Sequence, residues 1–309
     1  MVRYIAGRLL QAVVTLLGVV TIIFFLVRLS GDPARLLAPQ NATASDIARI
    51  RHQLGLDTSL WSQYFHFLGQ AIHGNFGFSY VQDQPAMQIV LNRFPNTVEL
   101  AVGALVVALG IGVPVGIISA VYRGRWPERV LMPLILVGQS MPAFWSGILL
   151  ILIFSVKFHL FPSSGQGGIR ALILPAVTLG SLSLATVARM ARGSFLEQLD
   201  REYVRTARAK GSSAIRVMFV HVFRNALLPV LTITGLEAAN LLGGAVLTEV
   251  IFAWPGIGQL TIQSVDGRDF PVVQAVVLLA AIVYVVVNLV VDLLYGVVDP
   301  RLRLAGAST

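Results

Sequence analysis

Glu237 stands eight residues past Pro229, inside an apolar run from Leu228 to Val250, and Asn240 follows one helical turn later. At about 1.5 Å per residue, a helix carries that carboxyl about 12 Å into the run, close to the middle of a bilayer core of about 30 Å. A carboxylate at that depth is by default a functional group. Glu237 and Asn240 are therefore candidate pathway residues, able to attract a passing amine. The competing reading is a hydrogen-bonded glutamic acid packed within a helical bundle, and general behaviour of buried carboxyls supports both. Asp292 and Asn288, near the end of a later run, read as structural.

Other chemistries find little support. The chain has no cysteine, which excludes disulfides, thiolate nucleophiles and thiolate metal sites. His52, His66 and His73 have no zinc-like spacing and fit a mixed polar surface. There is no HExxH pattern, no GxxxxGK[ST] and no placeable nucleophile–base pair. The sequence thus predicts a non-enzyme that binds neither metal nor ATP itself.

A second cluster of interest lies between Arg189 and Pro229. Asp200 is a plausible N-cap, Glu202 suits a positive helix start, and Gly211 suits a stop. Between them, Arg201, Arg205 and Arg208 share one face, and Tyr203, Thr206, Ala207 and Lys210 share another. Ser212 or Ser213 can cap a second helix with Ile215, Met218, Phe219 and Val222 on its apolar face. The pattern predicts a short helix, a tight Gly turn and an amphipathic helix at the membrane. The plain alternative is an ordinary basic loop with an interfacial helix.

The elements that must position these groups are membrane spans. Of 309 residues, 56% are hydrophobic and only 12% charged, against about 25% charged in a soluble domain. Six apolar blocks approach the length of a span: Leu9–Leu29, Val98–Val121, Leu131–Val156, Ala171–Ala188, Leu228–Val250 and Val272–Val298. The fourth is short and rich in Ser and Thr. The first reads as a retained anchor (1–29) rather than a cleaved signal. Basic residues at both ends, at Arg123–Arg129 and throughout 189–227 place those segments in the cytoplasm, giving N-in/C-in. That topology accounts for most of the net charge of +8 and weakens a nucleic-acid reading. Pro133 and Pro142 should bend the third span. Gly112 and Gly116 form a GxxxG, and Gly235, Ala239 and Gly243 repeat at every fourth position. Both predict close helix packing, or else a subunit interface or a sliding surface.

Residues 30–96 form an extracytoplasmic segment of short helices. Ser45 is a candidate cap for a helix ending near Leu54 and Gly55, and Asp57 or Ser59 for a second. Trp61, Tyr64, Phe65, Leu68 and Ile72 make one apolar face on that second helix. It would pack on the bundle, sit at the membrane interface or touch a partner. Pro85 suits the first turn of a third helix reaching Arg93. The rest divides into a five-helix core (97–298) and a cytoplasmic tail (299–309).

At the 200–230 segment the sequence resembles the permeases of ABC transporters, in the dipeptide/oligopeptide branch whose first span is followed by a long outer segment. Other segments agree in order: Arg93-Phe94-Pro95-Asn96-Thr97, Met141-Pro142-Ala143-Phe144-Trp145, Glu249 through Gly258, Arg268-Asp269-Phe270-Pro271 and Asp299-Pro300-Arg301. Arg205-Thr206-Ala207 stands where the wider family has EAA, so an ion pair through the family's Glu is not carried over. The resemblance implies an all-α, type I importer fold of six spans in the bacterial plasma membrane. It implies a coupling role for Arg201, Glu202, Tyr203, Arg205, Thr206, Ala207, Arg208 and Gly211. Implied partners are a second homologous permease, two cytoplasmic ATPases that hold ATP and Mg, an extracytoplasmic substrate-binding protein and the lipid bilayer. The implied cargo is dipeptides or oligopeptides. Glutathione, haem or a nickel complex are alternatives, and a proton-coupled transporter using Glu237 is another.

Overall fold

In a computed structural model of the chain, residues 2–29, 43–53, 55–79 and 81–298 are described. Leu54, the 299–309 tail and the Asp299-Pro300-Arg301 segment lie outside them, as does the side chain of Asp292. The described residues fold almost wholly into helices. Five are long and apolar enough to cross a membrane, and a pair of helices bent by 105° is the sixth candidate span. The chain divides into two compact units, residues 1–95 with 256–285 and residues 96–255 with 286–309.

In the first unit, α1 (Val2–Leu29) packs against α3 (Leu60–Ile72). Helix α2 (Ala44–Gln53) precedes α3. Its cap is Thr43 rather than Ser45. The Thr43 hydroxyl accepts from the Asp46 amide while Asp46 accepts from the Thr43 amide, a reciprocal arrangement that satisfies two exposed donors. These Thr43 hydrogen bonds hold the Asp46 carboxyl below its ordinary value. Ser59 caps α3 as expected. The three outer histidines each have a local partner: His52 with Asp57, His66 with Gln70, His73 with the Gly69 carbonyl. The His52 ring lowers the Asp57 carboxyl. A two-residue ladder of β1 (Phe78–Ser79) and β2 (Gln84–Pro85) comes next. Pro85 thus ends a strand, and the helix begins at Ala86. The unit is completed by α11 (Ile257–Asp266) and the start of α12 (Phe270–Val298). Their Ile257, Leu260, Val272 and Val276 close a core with Val20, Phe76, Ile89 and Val90.

The expected helix to Arg93 and the second span are one element, α4 (Ala86–Val121), of 36 residues. At about 1.5 Å per residue it is about 54 Å long, well beyond the bilayer core.

In the second unit, the third span is broken into α5 (Trp126–Ser140) and α6 (Ala143–Leu150), bent by 105°. The break falls at Pro142, whose ring disfavours helical backbone at Met141; Met141 is extended, with ψ 133. Pro133 stays inside α5. A wider π turn (Ile151–Lys157) continues α6. Helix α7 (Ile169–Leu199) is 31 residues long and the most enclosed of the spans. Enclosure explains its weak apolar signal. Its hydroxyls are satisfied inside the protein: Thr178 bonds the Leu174 carbonyl and Ser194 the Ala226 carbonyl. Helices α8 (Glu202–Ala209), α9 (Ala214–Arg216) and α10 (Phe223–Ile251) complete the unit's described helices before α11, with a π turn over Val217–Val222. The expected loop of 189–227 is therefore mostly helix, and only about 200–213 projects.

Gly112 and Gly116 serve close packing between α4 and α7. A Cβ on Gly116 would stand 2.6 Å from the Ala188 carbonyl oxygen, and one on Gly180 would stand 2.6 Å from that of Ala104. On the other repeat, Ala239 is buried, whereas Gly243 has open space beside it.

Candidate functional site

The projecting segment is anchored around Val204. Val204, 1% exposed, sits in a core with Ala120, Phe195, Val217, Val222 and Ala226. Tyr203 and Ala207 pack beside it, and the Tyr203 hydroxyl donates to Gln198 Oε1 at 2.9 Å. Helix α8 consequently turns Glu202, Arg205, Thr206, Arg208 and Ala209 outward. Its end is a Schellman turn. The Gly211 amide bonds the Arg208 carbonyl at 2.9 Å, the Ser212 amide bonds the Ala207 carbonyl at 3.1 Å, and Gly211 has φ +81. Ser213 caps α9, its hydroxyl accepting from the Arg216 amide.

The structure corrects three expectations. Asp200 does not cap α8; it ends α7 and lies 3.8 Å from Arg123. Arg201 is the residue before the helix and pairs with Glu197. The second helix buries Val217 and Val222 and leaves Ile215 and Phe219 exposed, where Ile215, Met218, Phe219 and Val222 were expected to share a face. The π turn over 217–222 resets the angular register, so a 3.6-residue period fails across it. Ala207 is half-buried against the core.

The root of the segment is tied by charge. Glu128 on α5 accepts from Arg192 of α7 through Nε at 2.7 Å and again through Nη2, and it also accepts from the Gly124 amide. Arg189 donates to Gln139 Oε1 at 3.2 Å. These basic residues make specific contacts as well as marking a side of the membrane.

Deeper in the second unit, Glu237 accepts a hydrogen bond from the buried Ser183 hydroxyl of α7. The carboxyl itself is half-buried and Asn240 is exposed. A cleft of about 230 Å³ opens beside the α5–α6 break, lined by Met141, Ser146, Thr178 and Ser181 among others. Glu237 is not among its lining residues.

A polar cluster at the far end of this unit was not anticipated. Thr97 donates to Oε1 of Glu249 at 2.7 Å, and Glu249 is fully buried. Asn96 donates to the Pro255 carbonyl at 2.8 Å, and Trp254 Nε1 donates to the Asn96 carbonyl at 2.8 Å. Gln166 donates to Asn96 Oδ1 at 2.9 Å. Ala253, with φ +46, turns the chain between Glu249 and Trp254. The signal was present: two of the segments carrying the family resemblance contain these residues, at span ends expected on the same side. Among the described residues no group of acidic and histidine side chains is arranged to hold a metal.

The apolar helices, with one broken and one enclosed by its neighbours, and the projecting α8 define a multi-pass membrane protein. Residues 112–304 match the binding-protein-dependent transport system inner membrane component, and residues 1–101 match the N-terminal region of such membrane components. The chain belongs to this family. It is 43% identical over 304 residues to the glutathione transport system permease protein GsiC of Escherichia coli (strain K12), covering 98% of this chain and 99% of that one. It is 44% identical to the protein of the same name from Salmonella typhi, with the same coverage. Its fold is similar to the inward-facing MetNI methionine ABC transporter, with TM-score 0.59, 20% identity, and 69% of this chain and 97% of that one covered. It is also similar to an amino acid ABC transporter crystallised with histidines, with TM-score 0.53, 19% identity, and 67% and 92% covered. The chain is thus an inner-membrane permease subunit of an ABC importer, and ATP hydrolysis belongs to a separate subunit. The family implies ATPase and binding-protein partners.

Proposed function

We propose that this permease carries short peptides, glutathione first among them, and forms half of the pathway with a second homologous permease. One of the two ATPases docks on the exposed face of α8, and the other on the corresponding loop of the second permease. Residues Arg205, Thr206 and Ala209 make the contact, Val204 and Tyr203 hold the helix in place, and Gly211 sets its exit. The α8 side is cytoplasmic, in keeping with the basic residues around it. The reading of the cargo rests on one observation: similarity to glutathione permeases runs collinearly through 98% of the chain. Glutathione is itself a tripeptide, so this narrows the dipeptide/oligopeptide expectation from sequence without discarding it. Glu237 and Asn240 face the pathway, with Ser183 orienting the carboxylate toward the cargo's amine.

Uptake into proteoliposomes containing all subunits tests this. Labelled glutathione should accumulate only with ATP and binding protein present, and unlabelled tripeptides should compete. Accumulation that persists without the ATPases and collapses with an uncoupler would instead favour the proton-coupled alternative. ATP-driven uptake of a nickel complex or haem, with none of glutathione or peptides, would reassign the cargo.

A further inference from the structure

Helix α3 does not use its aromatic stripe as one face. Tyr64, Phe67 and Ala71 turn toward α1 and the core around it. Trp61, Phe65 and Ile72 do not, and they are 66%, 64% and 76% exposed. At about 100° per residue these three fall within about 40° of one another, roughly a quarter-turn from the buried face. A further quarter-turn on, Ser62, His66 and His73 form an exposed polar strip. Around the helix the order is therefore protein, apolar, polar.

The level of α3 is set by its contacts. The Tyr64 hydroxyl lies 2.9 Å from Thr21 Oγ1, and its ring packs on Phe24 and Phe25. Thr21 lies eight residues before the end of the span at Leu29, about 12 Å along the helix. Tyr64 thus reaches down into the membrane-embedded part of α1. Ile22, Leu26 and Leu29 of α1 are exposed from that depth up to the end of the span, where only lipid or another subunit can cover them. Arg28 lies over the Phe24 ring at 5.2 Å, as a cation does at a headgroup boundary.

We propose that α3 is an interfacial helix, with Trp61, Phe65 and Ile72 inserted in the leaflet at the C-terminal end of α1. The occupant of the stripe is lipid. Continuity with the exposed face of a membrane span argues for this, as does the polar strip on the far side of the stripe. A helix lying in the membrane plane needs that order of faces, and Trp is favoured at that depth. The helix then fixes the height of the outer segment over the bilayer.

The chain's lack of cysteine makes the test direct. Single variants Trp61→Cys, Phe65→Cys, Ile72→Cys, Ser62→Cys and His66→Cys are spin-labelled in the assembled transporter in phospholipid vesicles. Collision with oxygen, which concentrates in lipid, is compared with collision with a water-soluble nickel chelate. The oxygen-to-nickel ratio should be severalfold higher at 61, 65 and 72 than at 62 and 66. Equal ratios at all five positions would show the stripe in water and overturn the proposal. Protection from both reagents at 61, 65 and 72 would show a protein partner on the stripe and overturn it equally. Neither readout depends on the cargo or on ATP coupling.

Discussion

Thr97 and Glu249 lie 152 positions apart, and the Thr97 hydroxyl donates a 2.7 Å hydrogen bond to a carboxylate that has no exposure to solvent. The bond joins the second span to the end of α10. A buried carboxylate deprived of a donor costs about 1–3 kcal/mol. Thr97→Val should therefore lower the thermal stability of the solubilised chain, and Thr97→Ser should restore most of it. Equal melting of the two variants would mean that the carboxylate draws its support from other donors.

The α4–α7 contact makes a sharper steric prediction. Gly116 has the Ala188 oxygen and the Ala191 Cβ each 2.6 Å from where a Cβ would be, whereas Gly110, six residues earlier on the same helix, has nothing within 4 Å. Overpacking of this kind costs about 1–3 kcal/mol. Gly116→Ala should destabilise the chain and reduce its level in the membrane, and Gly110→Ala should be neutral. The pair share a helix and a substitution, so propensity cancels and only the packing differs.

Glu237→Gln tests the pathway reading. The amide oxygen can still accept from Ser183, so membrane level and assembly should be kept. The acidic group that would meet a cargo amine on the pathway reading is lost, however, and a hydrogen bond to a charged partner contributes about 1.5–3 kcal/mol. Uptake of a cargo with a free amine should fall by about tenfold or more, the equivalent of about 1.4 kcal/mol or above. Unchanged uptake, with unchanged dependence on pH, would leave Glu237 a packing residue.

Much of this was legible in the sequence. The spans, the basic projecting segment, the Ser59 cap and the Gly211 stop all arise from local rules that act over a turn or two. Length and hydropathy alone indicate six spans, but they make the fourth, α7, short and weak. Two of its serines find partners on α10, Ser183 with Glu237 and Ser194 with the Ala226 carbonyl, and a single-segment hydropathy cannot see that. The split of the α3 stripe and the register change at the π turn fail for a related reason. Periodicity assigns a face to a helix, but the neighbours decide which part of it is covered. The Thr97–Glu249 and Asn96–Trp254 contacts are tertiary, so the sequence could mark their segments without pairing them.

The most discriminating prediction concerns α8, where burial separates support from contact. Val204 is enclosed, and trimming it to Ala removes about 1.5–2 kcal/mol of apolar burial. Val204→Ala should therefore loosen the segment, seen as faster amide exchange across 201–213, and coupling should weaken as a consequence. Arg205→Glu acts on an exposed face about 100° around the helix from Val204, away from the core that holds α8. It should leave amide exchange and membrane level unchanged while abolishing cargo-stimulated ATP hydrolysis. Gly211→Val combines both effects, because a β-branched residue is strained at φ +81. If Arg205→Glu and the matching reversal at Arg208 both retain full stimulation, the ATPase does not dock on this face. The contact would then have to be sought at the exposed Ile215 and Phe219 instead.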